Sequence, residues 1–190
     1  DDDIFTRICH AIADKGYIVL PKVLPDTWLN DLLANLIKME PHQFKPAGIG
    51  RASDFQRNEF VRQDQILWLD KSMAFAQPYF DWTEQLRQRL NRELFLGLFD
   101  YEAMLAHYPQ GAFYKRHMDA FKGRSNRRLS TVLYLNPQWQ STDGGELLLY
   151  QKKQRLPFET VTPMMGTMVI FLSEKFPHEV LAAQRSRFSL

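Results

Sequence analysis

Apolar residues recur at helical spacing through the first half of the chain, whereas after Gly97 short β-prone segments separated by turn residues take over. Ile4, Ile8, Ala11 and Ile12 predict a short first helix, ended by Gly16 and followed by a strand over 17–20. Pro25 and Asp26 open a second helix, in which Leu29, Leu32, Leu33, Leu36 and Ile37 form one apolar stripe of the kind that packs on a core. From 40 to 64 the pattern dissolves into Gly, Pro, Arg, Asp and Asn. A loop of that length suits either a lid or binding loop or a plain surface excursion. A strand over 65–69 restores order. Pro78 then starts a third helix with the stripe Trp82, Leu86, Leu90 and Leu94, closed by Leu96-Gly97.

The second half reads as strands over 101–108, 113–119, 129–135, 146–150, 158–162, 167–172 and 179–181, with another starting at Arg187. Turns fall at Pro109-Gln110-Gly111, Gly123, Asn136-Pro137, Asp143-Gly144-Gly145 and 163–166. Helices followed by regularly spaced short strands predict a mainly β protein with flanking α, its helices packed on a closed or two-sheet β core. No repeat, low-complexity tract or linker divides the chain, so a single domain over 1–190 is expected.

Composition narrows the class. The chain has 190 residues, 45% of them hydrophobic, enough for one sizeable core, and its 14 Phe and 4 Trp argue against disorder. Lys and Arg (24) nearly balance Asp and Glu (22), and no basic block marks a nucleic-acid or membrane surface. Cys9 is the single cysteine, so no intrachain disulfide can form and a reducing compartment fits. The apolar run over 168–172 is far too short to span a membrane, and no signal peptide is visible, although Asp1-Asp2-Asp3 reads as a trimmed start. The expectation is a cytoplasmic monomer with no nucleic-acid or membrane partner.

The candidate chemistry lies in Tyr114-Lys115-Arg116-His117-Met118-Asp119. Residues two apart on a strand share a face, so His117 and Asp119 project together and Arg116 and Met118 away. With one more histidine they make a two-His, one-carboxylate facial set suited to non-haem Fe(II). His178, placed after the apolar strand by the rigid Pro177, is the candidate third member. Arg187 is separated from His178 by an odd offset, so 182–186 must turn before a new strand returns its guanidinium towards the site, where it could grip a carboxylate bidentately. Two His and one Asp also suit hydrolytic Zn(II), but no His-Glu-x-x-His helix supplies a base, and that reading leaves Arg187 idle.

Tyr108-Pro109, Tyr114-x-x-His117-x-Asp119, Leu133-Tyr134-Leu135-Asn136, Gly144-Gly145-Glu146-Leu147, Pro177-His178-Glu179-Val180 and Arg187, in this order, form a specific series. Through them the chain resembles the Fe(II)- and 2-oxoglutarate-dependent prolyl hydroxylases over about 16–190. The segment Arg62-x-Asp64-x-Ile66-x-Trp68 is similar to the branch holding the hydroxylases of hypoxia-inducible factor and their bacterial counterparts. The resemblance implies a double-stranded β-helix (jelly-roll) core over 98–190, buttressed by a helical region over 1–97 that includes a substrate loop at 45–64.

It implies Fe(II) on His117, Asp119 and His178, and 2-oxoglutarate held by Arg187, Tyr134 and Tyr108. Arg62, Asp64 and Arg127 would stand near the substrate. Dioxygen would be the oxidant and ascorbate a reductant of the iron. The implied activity is hydroxylation of a prolyl residue in a protein or peptide, with elongation factor Tu a first candidate, releasing succinate and carbon dioxide. The alternatives are an oxygenase of a free amino acid or small metabolite, and a non-catalytic metal-binding β-domain. Because the family continues its last strand beyond the residue matching Leu190, that strand is expected to be truncated here.

Overall fold

Asp3 starts the first helix, α1 (Ile4–Asp14), by accepting a hydrogen bond from the Thr6 amide at 3.0 Å, which satisfies an amide that the helix start leaves open. The structure, a computed structural model, describes residues 3–39, 41–48, 60–120 and 126–190. Ile8, Cys9 and Ile12 form the buried face of α1. Gly16 ends the helix at φ +85°, and a Cβ there would lie 2.8 Å from Lys175 Cδ, so conformation and space both favour glycine.

The second helix, α2 (Asp26–Ile37), follows Pro25 and buries Leu29, Leu32 and Leu36. Ile37, expected in the same stripe, stands in solvent at the helix end. The third, α3 (Gln77–Leu94), carries Pro78 in its first turn and buries Tyr79, Phe80, Trp82, Leu86 and Leu90. It closes ahead of the expected Leu96-Gly97. Phe95 takes the left-handed conformation at φ 53°, while the Asn91 side chain accepts from the Leu98 amide at 2.7 Å and donates to the Leu98 carbonyl at 2.6 Å.

Among the described residues, eleven strands follow the predicted segments, mostly shortened at their ends: β1 (Tyr17–Leu20), β2 (Lys45–Pro46), β3 (Gln65–Trp68), β4 (Met104–Tyr108), β5 (Tyr114–His117), β6 (Leu129–Leu133), β7 (Leu147–Leu149), β8 (Glu159–Val161), β9 (Met168–Leu172), β10 (His178–Val180) and β11 (Arg187–Ser189). The exception is β2, which falls inside the segment read as loop and pairs with β3. Of the expected substrate loop, residues 49–59 lie outside the described residues, as does the expected turn at Gly123. Strand β10 begins one residue early, because His178 pairs with both His117 and Leu149.

Two sheets face each other. One runs β5-β10-β7-β8. The other joins β1-β9-β6 to β11-β4-β3-β2, because Leu133 and Leu190 exchange hydrogen bonds at 2.7 and 2.8 Å and the Leu135 amide reaches the Phe188 carbonyl at 3.2 Å. From β4 to β11 the chain moves back and forth between these sheets, which is the double-stranded β-helix.

Strand alternation sorts the side chains into two cores. On β9, Met168 and Ile170 pack with the helices, whereas Val169 and Phe171 point between the sheets towards Leu147, Leu149, Val161 and Val180. Leu105 and Leu133 follow the first pair; Tyr108 and Tyr134 follow the second. The space between the sheets therefore receives the tyrosines of the expected co-substrate pocket. Among the described residues, no helix is long and apolar enough to cross a membrane.

Candidate active site

His117 ends β5, and His178 begins β10 directly opposite it in antiparallel register. Asp119 follows two residues beyond the strand end, short of the strand expected to carry it, and turns back towards both rings. Its Oδ1 lies 3.7 Å from His117 Nε2 and 3.4 Å from His178 Nε2. The three residues offer ligand atoms that all lie within 4.8 Å of one another.

Backbone carbonyls orient both rings. His117 Nδ1 lies 2.8 Å from the Lys115 carbonyl and His178 Nδ1 lies 3.2 Å from that of Phe176. A carbonyl only accepts, so Nδ1 of each ring donates and Nε2 faces the carboxylate side, donating to Asp119 when the ring is protonated and offering a lone pair when it is neutral. Such outer hydrogen bonds set the ring orientation of metal-bound histidines.

Asp119 has a support of its own. Its Oδ2 accepts from Ser130 Oγ at 2.6 Å, and Ser130 Oγ lies 2.8 Å from Ser173 Oγ. Ser130 spends its one proton on the carboxylate, so Ser173, fully buried, must donate to Ser130. Oδ1 is left to serve the histidine side.

The electrostatics follow from burial and proximity. Burial works against the Asp119 carboxylate, but the His178 charge and the hydrogen bonds from both histidines and Ser130 outweigh it and hold its pKa well below the ordinary range. Burial also opposes charge on His178, yet the neighbouring Asp119 raises its pKa overall; at His117 burial prevails and lowers it.

Arg187 is the other pole. It opens β11 opposite Tyr108, after a turn in which Ala183 bridges to Gly144 and its carbonyl accepts from the Gly111 amide at 2.9 Å. This is the turn that the odd offset from His178 required. The residue is 2% exposed, its Cζ lying 4.8 Å from the Tyr108 ring centroid and 5.0 Å from that of Tyr134. Nη2 donates to the Tyr134 hydroxyl at 3.4 Å, while Nε and Nη1 have no hydrogen-bond partner among the described residues. Gly145, at φ 71°, makes room for this side chain, since a Cβ there would lie 3.2 Å from Arg187 Cδ and 2.9 Å from Ala183 Cβ.

A buried guanidinium with open donors and tyrosine neighbours is costly to maintain and complementary to a carboxylate. The donor set fits a hard-to-borderline divalent ion and the arginine fits an anion, so both halves of the expected cofactor pair have matching chemistry. Burial raises the Tyr108 pKa, with Asp64 adding to the shift and Arg187 opposing it, so the ring stays a neutral phenol.

The remaining expected residues lie apart from this centre. Arg62 and Asp64 form a two-pronged ion pair, with Nε to Oδ1 at 2.8 Å and Nη2 to Oδ2 at 2.6 Å, and Asp64 is buried. Arg127 lies 3.6 Å from Glu102 near the surface. Sequence reasoning assigned no role to Ser130 or Ser173. Their only sequence signal is a serine at the margin of an otherwise apolar strand.

Comparison with known proteins agrees with this geometry. The profile of the 2OG-Fe(II) oxygenase superfamily matches residues 103–190, which contain the triad and Arg187. The crystal structure of a Pseudomonas putida prolyl-4-hydroxylase superposes with a TM-score of 0.87 at 36% identity, over 98% of this chain and 95% of that one. A Trichoplax adhaerens prolyl hydroxylase, in complex with a peptide fragment of the hypoxia-inducible factor oxygen degradation domain, gives a TM-score of 0.82 at 25% identity, over 98% of this chain and 86% of that one. An uncharacterised PKHD-type hydroxylase of Synechocystis is 26% identical over 132 residues, 64% of this chain, and the match spans 43% of that protein's length. With the likeness reaching from the helices to the last strand, the chain belongs to the 2OG-Fe(II) oxygenase superfamily, as a dioxygenase domain that works with Fe(II), 2-oxoglutarate and dioxygen.

Proposed function

We propose that this domain hydroxylates a prolyl residue in a protein substrate. The observation that carries the reading is the 36% identity to a prolyl-4-hydroxylase across 98% of the chain. That likeness takes in the helices and the Arg62–Asp64 segment, which precede the oxygenase profile at 103–190. Elongation factor Tu is the first substrate to try, because bacterial relatives in the branch that the sequence resembles act on it.

In this reading His117 and His178 would hold Fe(II) through Nε2 and Asp119 would hold it through Oδ1, its Oδ2 being bonded to Ser130. Arg187 and the Tyr134 hydroxyl receive the far carboxylate of 2-oxoglutarate, and Tyr108 flanks it. When bound, the iron supplies the oxidising chemistry: one oxygen atom of dioxygen goes to the substrate C–H as a hydroxyl, the other to 2-oxoglutarate, which leaves as succinate and carbon dioxide. The protein's part is orientation and exclusion of water. Phe171, its ring centroid 5.0 Å from that of His178, and Leu149, paired with His178, supply the apolar wall.

The test is incubation with Fe(II), 2-oxoglutarate and elongation factor Tu, alongside a panel of proline-containing proteins and free amino acids. A +16 Da shift on a proline-containing peptide, with equal succinate, is expected. Turnover confined to a free amino acid would replace this reading.

A further inference from the structure

Between the triad and the segment that enters β3 stand three side chains in a column. The Tyr114 ring lies flat on the His117 imidazole, their centroids 3.5 Å apart and their planes 11° from parallel. On its other face the Arg62 guanidinium lies with Cζ 4.2 Å from the ring centroid. Arg62 is itself pinned by its two bonds to the buried Asp64, and its Nη1 donates to the Gly48 carbonyl at 3.1 Å. The backbones are joined as well. Arg62 bridges Tyr114 antiparallel, the Lys115 amide reaches the Val61 carbonyl at 2.8 Å, and the Gln63 amide reaches the Phe113 carbonyl at 3.0 Å.

The two histidines need different help. His178 is 6% exposed and sits on a strand flanked by β5 and β7, with Phe171 against its ring, so packing adds to its hydrogen bond with the Phe176 carbonyl in fixing its plane. His117 sits on the outermost strand of that sheet, more open to solvent, with one hydrogen bond to the Lys115 carbonyl, Asp119 Oδ1 3.7 Å from its Nε2 and the edge of the His178 ring against it, centroids 4.3 Å apart. A single hydrogen bond leaves a ring free to pivot about it. A flat partner on the ring face removes that freedom, provided the partner is held from behind. Arg62 holds it, and a planar guanidinium covers an aromatic face as an ammonium cannot.

We propose that Tyr114 is a positioning residue for His117: clamped by Arg62, it sets the plane in which His117 Nε2 meets the metal. The proposal rests on the reading of His117 as a metal ligand. It assigns the column a role in metal affinity that the Arg62–Asp64 ion pair alone would not have.

The experiment titrates the apo-protein with Co(II) in place of Fe(II), without co-substrate, and follows the visible absorption. Tyr114→Leu removes the ring and is expected to weaken Co(II) binding about 10–100-fold, the range found when an outer partner of a metal ligand is lost, and to alter the spectrum. Tyr114→Phe keeps the ring and should restore wild-type affinity and spectrum. Arg62→Lys keeps a charge for Asp64 but removes the flat cover, so it should weaken binding by less than Tyr114→Leu. Added to Tyr114→Leu it should do nothing further, since it acts through the ring.

Wild-type affinity in Tyr114→Leu overturns the proposal, as does a Phe variant as weak as the Leu variant. If the Leu variant fails to fold, wild-type affinity in Arg62→Lys overturns it. His117→Ala separates the two levels. If it binds Co(II) as the wild type does, the ligand reading itself fails, and the proposal with it. If it loses Co(II) while Tyr114→Leu does not, only the role of Tyr114 falls.

Discussion

The two poles of the site hold their charge in opposite ways. At His117, Asp119 and His178 the groups compensate one another: the carboxylate meets two imidazoles on one oxygen and Ser130 on the other, and both Nδ1 atoms rest on carbonyls. At Arg187 a guanidinium is buried with two donors open and one long bond to Tyr134. The first pole is assembled before any ligand arrives. In the proposed reading the second would be completed by an anion, which would supply what Tyr108 and Tyr134 do not. A buried charge without a partner costs roughly several kcal/mol, and a bound carboxylate would recover much of that. In the proposed reading, the His117–Asp119–His178 pole would thus serve geometry and the arginine pole affinity.

The largest effect should come from breaking the metal pole. His117→Ala or Asp119→Ala would remove one of the three proposed ligands, and succinate release from 2-oxoglutarate should fall to the level of a metal-free control. Near-normal release from either purified variant would refute the ligand assignment. Chelation should do the same to the wild type, with recovery on adding Fe(II).

Next in size is Arg187→Met, which sharpens the contrast because its two effects have opposite signs. Affinity for 2-oxoglutarate should fall by about 30-fold or more, as when one partner of a buried charge pair is truncated. The apo-protein should melt at the same temperature or higher, since an uncompensated charge gives way to an apolar side chain. Thermal melts with and without 2-oxoglutarate read both effects: the ligand should raise the wild-type midpoint and leave the variant's unmoved. An apo variant that melts markedly lower would mean that the arginine stabilises the ligand-free fold.

Ser130→Ala comes third. Losing the Oδ2 anchor should weaken metal binding about tenfold, the lower end for such outer partners, with 2-oxoglutarate affinity unchanged once iron is saturating. Equal losses at both poles would show that they do not act separately.

How much of this was legible in the sequence depended on whether a feature was local. The period-two offset of His117 and Asp119 needed only a strand, and the turn before Arg187 followed from an odd spacing that one continuous strand could not accommodate. The turn is found, the chain bending at Gln184 and Arg185 after the Ala183 bridge, whereas the strand stops at His117 and Asp119 reaches the rings from beyond its end. The Ser130–Ser173 relay was invisible because it depends on β6 and β9 lying side by side, Ser130 opposite Phe171, which fixes where Ser173 falls. The Arg62–Tyr114–His117 column needed a pairing between 61–63 and 113–115 that no local pattern announces. The end of α3 was misplaced because Phe95 adopts a conformation that sequence reading reserves for glycine, with Asn91 closing the helix from within.

The smallest effect tests how the arginine pole divides its work. Tyr134 is the one protein group bonded to Arg187 among the described residues, and at 3.4 Å that bond sits at the outer limit of a hydrogen bond. If the hydroxyl mainly served the arginine, Tyr134→Phe would strip the last partner from a buried cation and cost the apo-protein stability. If instead it waits for the ligand, the apo-protein should hardly notice, and 2-oxoglutarate should lose one neutral hydrogen bond, about 0.5–1.5 kcal/mol or roughly a two- to tenfold weaker affinity. The long bond favours the second outcome, because a hydroxyl committed to the guanidinium would lie closer. A Tyr134→Phe variant with a lowered apo midpoint and unchanged 2-oxoglutarate affinity would reverse that division and make the tyrosine a support for Arg187.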